Sequence, residues 1–456
     1  MPSPEAGQGF RRELGLADAI VVVAGGIIGV GIFANPSNVA RVLDAPGLIL
    51  GAWTLGGVVA LIGGFVWAEL GSRYPDVGGQ YVYLARGYPP VVGFLYGIAL
   101  LFIINGGSLA AVSMLFAAYV DRTFVAVGPT GLRVVAAITL IALTAVNAAG
   151  VKAGKWTNNI LMAAKVGGML ALLVLAFGRG APPASDFSAA PAASGSWISL
   201  LLTALVPILF AYGGWQSCAS LAGEIKHPAR NLARANVLGV LVVLALYLSL
   251  NVAYLWVLTP AAMAASPALA SDMARAVAGE AGARFVAVLI TISSLGFLAV
   301  VIMTGPRLYY AMAADGLFFA RAARLHPRFQ TPVFALWFQA AVSLVLMTTN
   351  TYDQLLSYVV FADWLFFGLT AASLFIARAR DPFDSARLAS SLAQGKRRTD
   401  LYSAPGHPWT TGAFVLVAAG VVINTFFVYP TQSAIGAAVL LIAAGIYFTA
   451  LAPRRA

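Results

Sequence analysis

Cysteine is nearly absent from this chain, charge is scarce, and no long polar domain separates its apolar stretches. Cys218 is the only cysteine among 456 residues, so no disulfide can form within the chain. Histidine occurs three times, as His227, His326 and His407, in polar connections without metal-ligand spacing. No Walker A sequence is present, which removes support for ATP hydrolysis by this chain. The glycines near residue 30 lack the third position of a GxGxxG fingerprint, and no strand precedes them. An enzyme is therefore not expected, and neither catalytic residues, a cofactor nor a metal is expected.

Only 10% of the residues are charged and 60% are hydrophobic, too little polar surface for a soluble globule of this length. Twelve apolar runs approach or exceed the ~20 residues that cross hydrocarbon as a helix, giving an all-α integral membrane protein whose partner is the lipid bilayer. The net charge of +11 could suggest nucleic acid, but its distribution argues otherwise. Of 28 lysines and arginines, 21 fall on the side shared by the N-terminus and the even-numbered connections, and six on the other. That is the positive-inside bias, and it predicts a multi-pass protein of the cell membrane with both termini cytoplasmic. The start lacks a cleavage pattern and reads as a retained arm over 1–14. One lysine, Lys165, belongs to neither side.

Span one runs from about Leu16 to Arg41 and contains GGIIGVGIF, with Gly25, Gly26, Gly29 and Gly31 at mid-span. A glycine costs about 1 kcal/mol in a helix interior, so this cluster makes unwinding cheap. Backbone released in hydrocarbon must line a protein-walled cavity to be satisfied. The bland alternative is close helix packing through the GxxxG pair Gly25 and Gly29. Span six, from about Trp197 to Gly223, carries a second break in LFAYGGWQS, at Gly213 and Gly214 with Pro207 before it. Two breaks five spans apart occupy equivalent places in two five-span halves of opposite orientation, an inverted repeat of the secondary-transporter kind. Opposed half-helices offer amides to a carboxylate and carbonyls to an ammonium, so a zwitterion is the matching ligand. The other segments include span five from Trp156, span seven from Asn236, span ten over Leu355–Arg378, and a polar linker at 381–409.

Four stretches in order, GGIIGVGIF, AEL with PDVGGQYVYL, FAYGGWQS with GEIKHPARNLARA, and GPRLYYAMAADGLF, resemble motifs of the amino acid-polyamine-organocation (APC) superfamily. FAYGGW and SYVVFADWLFFGL look most like its L-type amino acid transporter group. The likeness covers about residues 14–380, with a weaker echo in YSAPGHPW. It implies a LeuT-type 5+5 inverted repeat with 12 transmembrane helices, TM1 and TM6 broken at mid-membrane, with halves at 15–180 and 181–380, a linker at 381–409, and two peripheral helices with a short tail at 410–456.

By that resemblance, backbone amides of Ile27, Gly29, Val30 and Gly31 receive a substrate carboxylate, carbonyls of Phe210, Ala211 and Gly213 receive its ammonium, and Tyr212 and Trp215 shape or gate the pocket. Many relatives have Ser or Thr where Val30 stands, so carboxylate binding here leans on backbone amides alone. In sodium-independent relatives a lysine on span five takes the place of sodium. Lys165 would bridge the span-one break around Gly26 to Ser293 or Ser294 on span eight, and a charge so costly at that depth is also a candidate proton carrier. Its bland reading is a snorkelling lysine.

Glu69 is either an interfacial or loop anchor with Arg73 as its i+4 pair, or a proton handler. Asp363 is either a pocket acid selecting cationic side chains or a satisfied polar anchor. Asp18 complements a helix N-terminus, Trp156 and Trp197 suit an interface belt, and Cys218 reads as a packing residue. Lys396, Arg397 and Arg398 lie in the linker, either against anionic headgroups or simply solvated. Eukaryotic L-type relatives tether an accessory glycoprotein through a cysteine between spans three and four. None occurs at 121–131, so no disulfide-linked subunit is expected.

The expected function is sodium-independent secondary transport of an amino acid by alternating access, as exchanger or proton symporter. Neutral substrates come first, because the break residues carry no acidic side chain beyond the candidate Asp363. Cationic amino acids or polyamines are the alternative, and an amino acid sensor or channel is the reading from another class.

Overall fold

The computed structural model describes residues 10–178, 182–188, 197–349, 352–380, 402–428 and 430–452. Among these the regular structure is helical, with one isolated parallel bridge between Leu14 and Ile225. Ten helical segments are long and apolar enough to cross a membrane. A further pair, α1 (Leu16–Ile27) and α2 (Gly31–Ala40), passes the same test jointly but is bent by 42°. The expected basic cluster at Lys396, Arg397 and Arg398 lies outside the described residues.

Proline and glycine punctuation sets where the helices start. α3 (Pro46–Arg73) and α5 (Pro90–Ala99) open with proline in the first turn, where its missing N–H costs nothing. A short helix, α4 (Gln80–Gly87), lies between them, and a π turn at Leu100–Ile104 joins α5 to α6 (Asn105–Thr123). α7 spans Gly128–Ala148 and α8 Val151–Phe177. Helix α8 starts five residues before the expected Trp156, because the turn at Gly150, with φ 130°, supplies the stop signal.

α9 (Trp197–Tyr212) is followed by a 3₁₀ helix at Trp215–Glu224 and by α10 (Pro228–Val257). Helix α10 starts eight residues before the expected Asn236. His227 sits in the left-handed region and Pro228 opens the helix, so two polar turns join what hydropathy alone begins later. α11 (Pro260–Ala265) precedes the long α12 (Leu269–Ala314), which is interrupted at Ala278 and Gly279. Across that interruption Arg275 bonds Glu280 at 2.7 Å, and on its own side of it Asp272 at 2.7 Å. α13 (Val333–Thr349) is a shorter apolar helix, and α14 (Tyr352–Arg380), α15 (Trp409–Val428) and α16 (Pro430–Ile446) complete the chain.

The bent pair α1 and α2 sits at the centre, with the face from Val22 to Ile27 buried. It is packed against α8, α10, α12 and the α9–3₁₀ segment, while α15 and α16 lie outside, on α14.

Two polar knots close the end of the bundle that carries the N-terminal arm. The amides of Glu13 and Leu14 both donate to the Glu224 carbonyl at 2.9 Å, and the Lys226 amide donates back to Leu14. Beneath them Arg307 Nε donates to Glu224 Oε1 at 2.7 Å, with both side chains buried. The second knot is Glu69, fully buried. Its carboxylate accepts from Arg73 Nε at 2.8 Å, from Arg378 at 2.9 and 2.6 Å, and from the Ala404 amide at 2.7 Å. A carboxylate so filled ties α3, α14 and the 402–408 segment together, and charge-assisted bonds of this kind are the strong ones. Nearby, burial and the Arg378 charge push the His407 imidazole below its usual range.

Candidate functional site

Residues 28–30 leave the helical path: α1 ends at Ile27, Ile28 is extended with ψ 90°, and α2 restarts at Gly31. On the facing segment α9 ends at Tyr212, and Gly214 with φ 120° turns the chain into the 3₁₀ helix. The two breaks touch backbone to backbone. A Cβ on Gly214 would collide with the Gly26 carbonyl, and one on Gly26 would lie 2.8 Å from the Gly214 carbonyl. A Cβ on Gly31 would lie 3.1 Å from Ala211 Cα, tighter than ordinary contact. Glycine is required at this meeting because no side chain fits between the two main chains.

A cavity of about 100 Å³ opens beside the contact. A water needs roughly 10–15 Å³ of such space, so the volume suits a small organic molecule better than a bare ion. From the first break it is lined by Gly26, Ile27, Gly29, Val30 and Gly31, and from the second by Phe210, Ala211, Gly213 and Gly214. No side chain caps α2; the Phe33 amide donates to Val30 O at 3.1 Å, which leaves the amides ahead of it as donors at the wall. Valine at position 30 puts no hydroxyl there. Two of the carbonyls named for an ammonium are already engaged once: the Gly213 amide donates to Phe210 O at 3.2 Å, and Tyr247 Oη lies 3.3 Å from Ala211 O. Each carbonyl keeps a second lone pair for a ligand.

Tyr212 and Trp215 do not line the cavity, contrary to the expectation that they shape or gate it. The Tyr212 ring packs between Trp53 and Tyr247, with centroids at 5.7 and 5.1 Å. Trp215 packs on Phe367 at 5.0 Å and on Trp67 at 6.2 Å. Tyr212 thus faces α3 and α10 from the last turn of α9, and Trp215, beyond the turn at Gly213–Gly214, faces α3 and α14.

Lys165 is buried on α8, and its Nζ donates to the Ile28 carbonyl at 2.6 Å and to the Gly25 carbonyl at 3.5 Å. The acceptors are thus the carbonyls on either side of Gly26 and Ile27, freed where α1 ends. Ser293 and Ser294 are not its partners. Ser293 Oγ donates to the Gly29 carbonyl at 3.1 Å, joining α12 to the same break, and Ser294 Oγ bonds Ile290 of its own helix. Glu69 lies away from the cavity in the knot described above. Asp18 does more than complement α1: besides accepting from the Gly15 amide, it binds Lys155 at 2.8 Å and Asn159 at 3.0 Å, fixing α8 and hence Lys165 against α1.

Asp363, half-buried on α14, lines the cavity. So do Asn105 and Ser108 of α6, Gln216 and Ser217 of the 3₁₀ helix, and an apolar wall including Phe297, Val360, Trp364 and Phe367. Sequence reasoning missed Asn105 and Ser108, whose placement follows from the π turn just before them; such turns often mark functional sites. It also missed Tyr247, whose hydroxyl lies 3.1 Å from Ile27 O and 3.3 Å from Ala211 O and so bridges the two breaks. The only signal for it was a tyrosine within an aliphatic run. Cys218 is buried and free.

The family model for amino acid permeases matches residues 14–451, beyond the 14–380 over which the motifs run. The chain is 30% identical over 426 residues to the serine/threonine exchanger SteT of Bacillus subtilis (strain 168), covering 91% of this chain and 93% of that protein. It is 31% identical to the human b(0,+)-type amino acid transporter 1, covering 81% and 76%. It is 30% identical to the human large neutral amino acids transporter small subunit 2, covering 83% and 73%. These relatives are transporters rather than enzymes, and the helices described above accord with a multi-pass membrane protein. The chain belongs to the amino acid permease family of the APC superfamily.

Proposed function

We propose that this chain is a secondary transporter that moves amino acids across the cell membrane by alternating access, without sodium. The observation that carries the reading is the backbone meeting of two broken helices beside a small cavity, with free amides on one break and carbonyls on the other. A carboxylate and an ammonium on one small molecule complement those two ends. The relatives, an exchanger and two amino acid transporters by name, support the same class of substrate.

The architecture we infer is twelve spans, counting α1–α2 as one and α13 as another, with five-helix halves over 15–180 and 181–380 and both termini in the cytoplasm. The positive-inside distribution of lysine and arginine supports that orientation. Sodium independence rests on Lys165, whose ammonium already serves the carbonyls at the end of α1 that a coupling cation would otherwise satisfy. Exchange and proton symport are both compatible with this geometry. The break itself carries no acid, so the shared part of any substrate is a neutral zwitterion, and the opposite wall decides its side chain. A buried lone cysteine, and none at 121–131, argue against a disulfide-linked subunit.

The test is uptake by purified protein in liposomes, using a panel of labelled amino acids with and without sodium and with and without a pH gradient. The expected result is amino acid uptake or trans-stimulated exchange in sodium-free buffer. Strict dependence on sodium, or no movement of any amino acid, would contradict the proposal.

A further inference from the structure

We infer that Asp363 makes cationic amino acids, those with a lysine-, ornithine- or arginine-like side chain, the preferred substrates, by receiving the side-chain cation. This rests on the transport reading above and deepens it by naming the substrate class. Among the described residues Asp363 is the one charged side chain that lines the cavity; the other polar side chains named there, Asn105, Ser108, Gln216 and Ser217, are neutral. Among the described residues no hydrogen bond or ion pair holds its carboxylate. The lysine at the breaks is committed elsewhere, since Lys165 donates to Ile28 and Gly25 and does not line the cavity. Contrast Glu69, the other half of the acid pair singled out in the sequence, which has two arginines and an amide around it.

A half-buried carboxylate without a counter-charge is unfavourable, and a cation that joins it offsets the penalty. The α-carboxylate and α-ammonium of a substrate are already answered by the two breaks. What remains is a wall whose acidic group, Asp363, is complementary to one extra positive charge on the ligand. Phe297, Val360 and Trp364 line the same cavity and suit the methylene stem of a long cationic side chain, which buries its stem along apolar surface while its head finds a polar partner. A polyamine has the cations but lacks the carboxylate that the first break would hold, so amino acids are favoured over amines. A neutral side chain would leave Asp363 unanswered.

The experiment measures arginine and leucine uptake side by side in proteoliposomes of wild type, Asp363→Asn and Asp363→Glu. Wild type should favour arginine, and lysine should compete for it. Asp363→Asn should lower the arginine-to-leucine ratio by roughly tenfold to a hundredfold, the range for losing a hydrogen bond to a charged group, and Asp363→Glu should keep the preference. If Asp363→Asn does not fold, thermal unfolding of purified wild type with arginine or leucine supplies the test, with arginine expected to stabilise at lower concentration. Wild type that moves leucine but excludes arginine and lysine would overturn the inference and leave the transport reading standing. So would an unchanged ratio in Asp363→Asn. Wild type that moves no amino acid would sink the transport reading, and this inference with it.

Discussion

Replacing Gly214 with alanine is expected to abolish amino acid transport in proteoliposomes. Two independent effects act at that position. Its φ of 120° lies where L side chains are strained, and an added methyl group would collide with the Gly26 carbonyl of the facing break. Relief requires moving one broken segment away from the other, and both contribute to the cavity wall. Backbone strain of this kind costs of order 1–3 kcal/mol before the collision is counted, so a lower melting temperature should accompany the loss. Gly51→Ala is the control: that glycine is in α3, and a Cβ there meets nothing within 4 Å. It should transport as wild type does. Retention of wild-type transport by Gly214→Ala would show that the close approach of the breaks is not needed.

Lys165→Met should lower sodium-free transport by at least about tenfold. The substitution keeps much of the apolar stem but removes the donor to Ile28 O at 2.6 Å and to Gly25 O. An acceptor left buried without a partner costs about 1–3 kcal/mol, and here the orphaned groups are carbonyls of the break itself. The end of α1 should lose its anchor to α8 and with it the geometry of the cavity. Ser293 would remain as a single tie from α12 to Gly29. The measurement is initial uptake rate with and without sodium, on protein matched for amount. Normal rates in sodium-free buffer would remove Lys165 from both the structural and the coupling role proposed for it.

Glycine clusters are the part of this site most legible in sequence, because their cost in a helix is intrinsic and needs no tertiary context. Gly25, Gly26, Gly29, Gly31, Gly213 and Gly214 therefore pointed to both breaks. Lys165 was legible for the same kind of reason, since a cation deep in an apolar span demands partners, although which carbonyls it meets depends on where α1 stops. Facing was not legible. Tyr212 and Trp215 are next to the break in sequence, yet Tyr212 is one position past the cavity-lining Ala211 on α9, the turn at Gly213–Gly214 interrupts the 3.6-residue period before Trp215, and both rings pack away from the cavity.

Asn105 and Ser108 were hidden by a different irregularity, the π turn at Leu100–Ile104, which shifts the register of everything after it. The early starts of α8 and α10 were lost because apolar runs mark where hydrocarbon begins, whereas Gly150 and the His227–Pro228 pair mark where the backbone begins to coil. Glu69 shows the limit of local pairing. The i+4 partner Arg73 was visible, but Arg378 and the Ala404 amide come from more than 300 residues away.

The most direct test of the account is an experimental structure of the protein with a transported amino acid bound. The carboxylate should lie within hydrogen-bond distance, roughly 2.7–3.2 Å, of amides among Gly29, Val30 and Gly31, and the α-ammonium should meet carbonyls among Phe210, Ala211 and Gly213. A ligand seated away from the two breaks, or continuous helices through Gly29 and Gly213 in that structure, would contradict it.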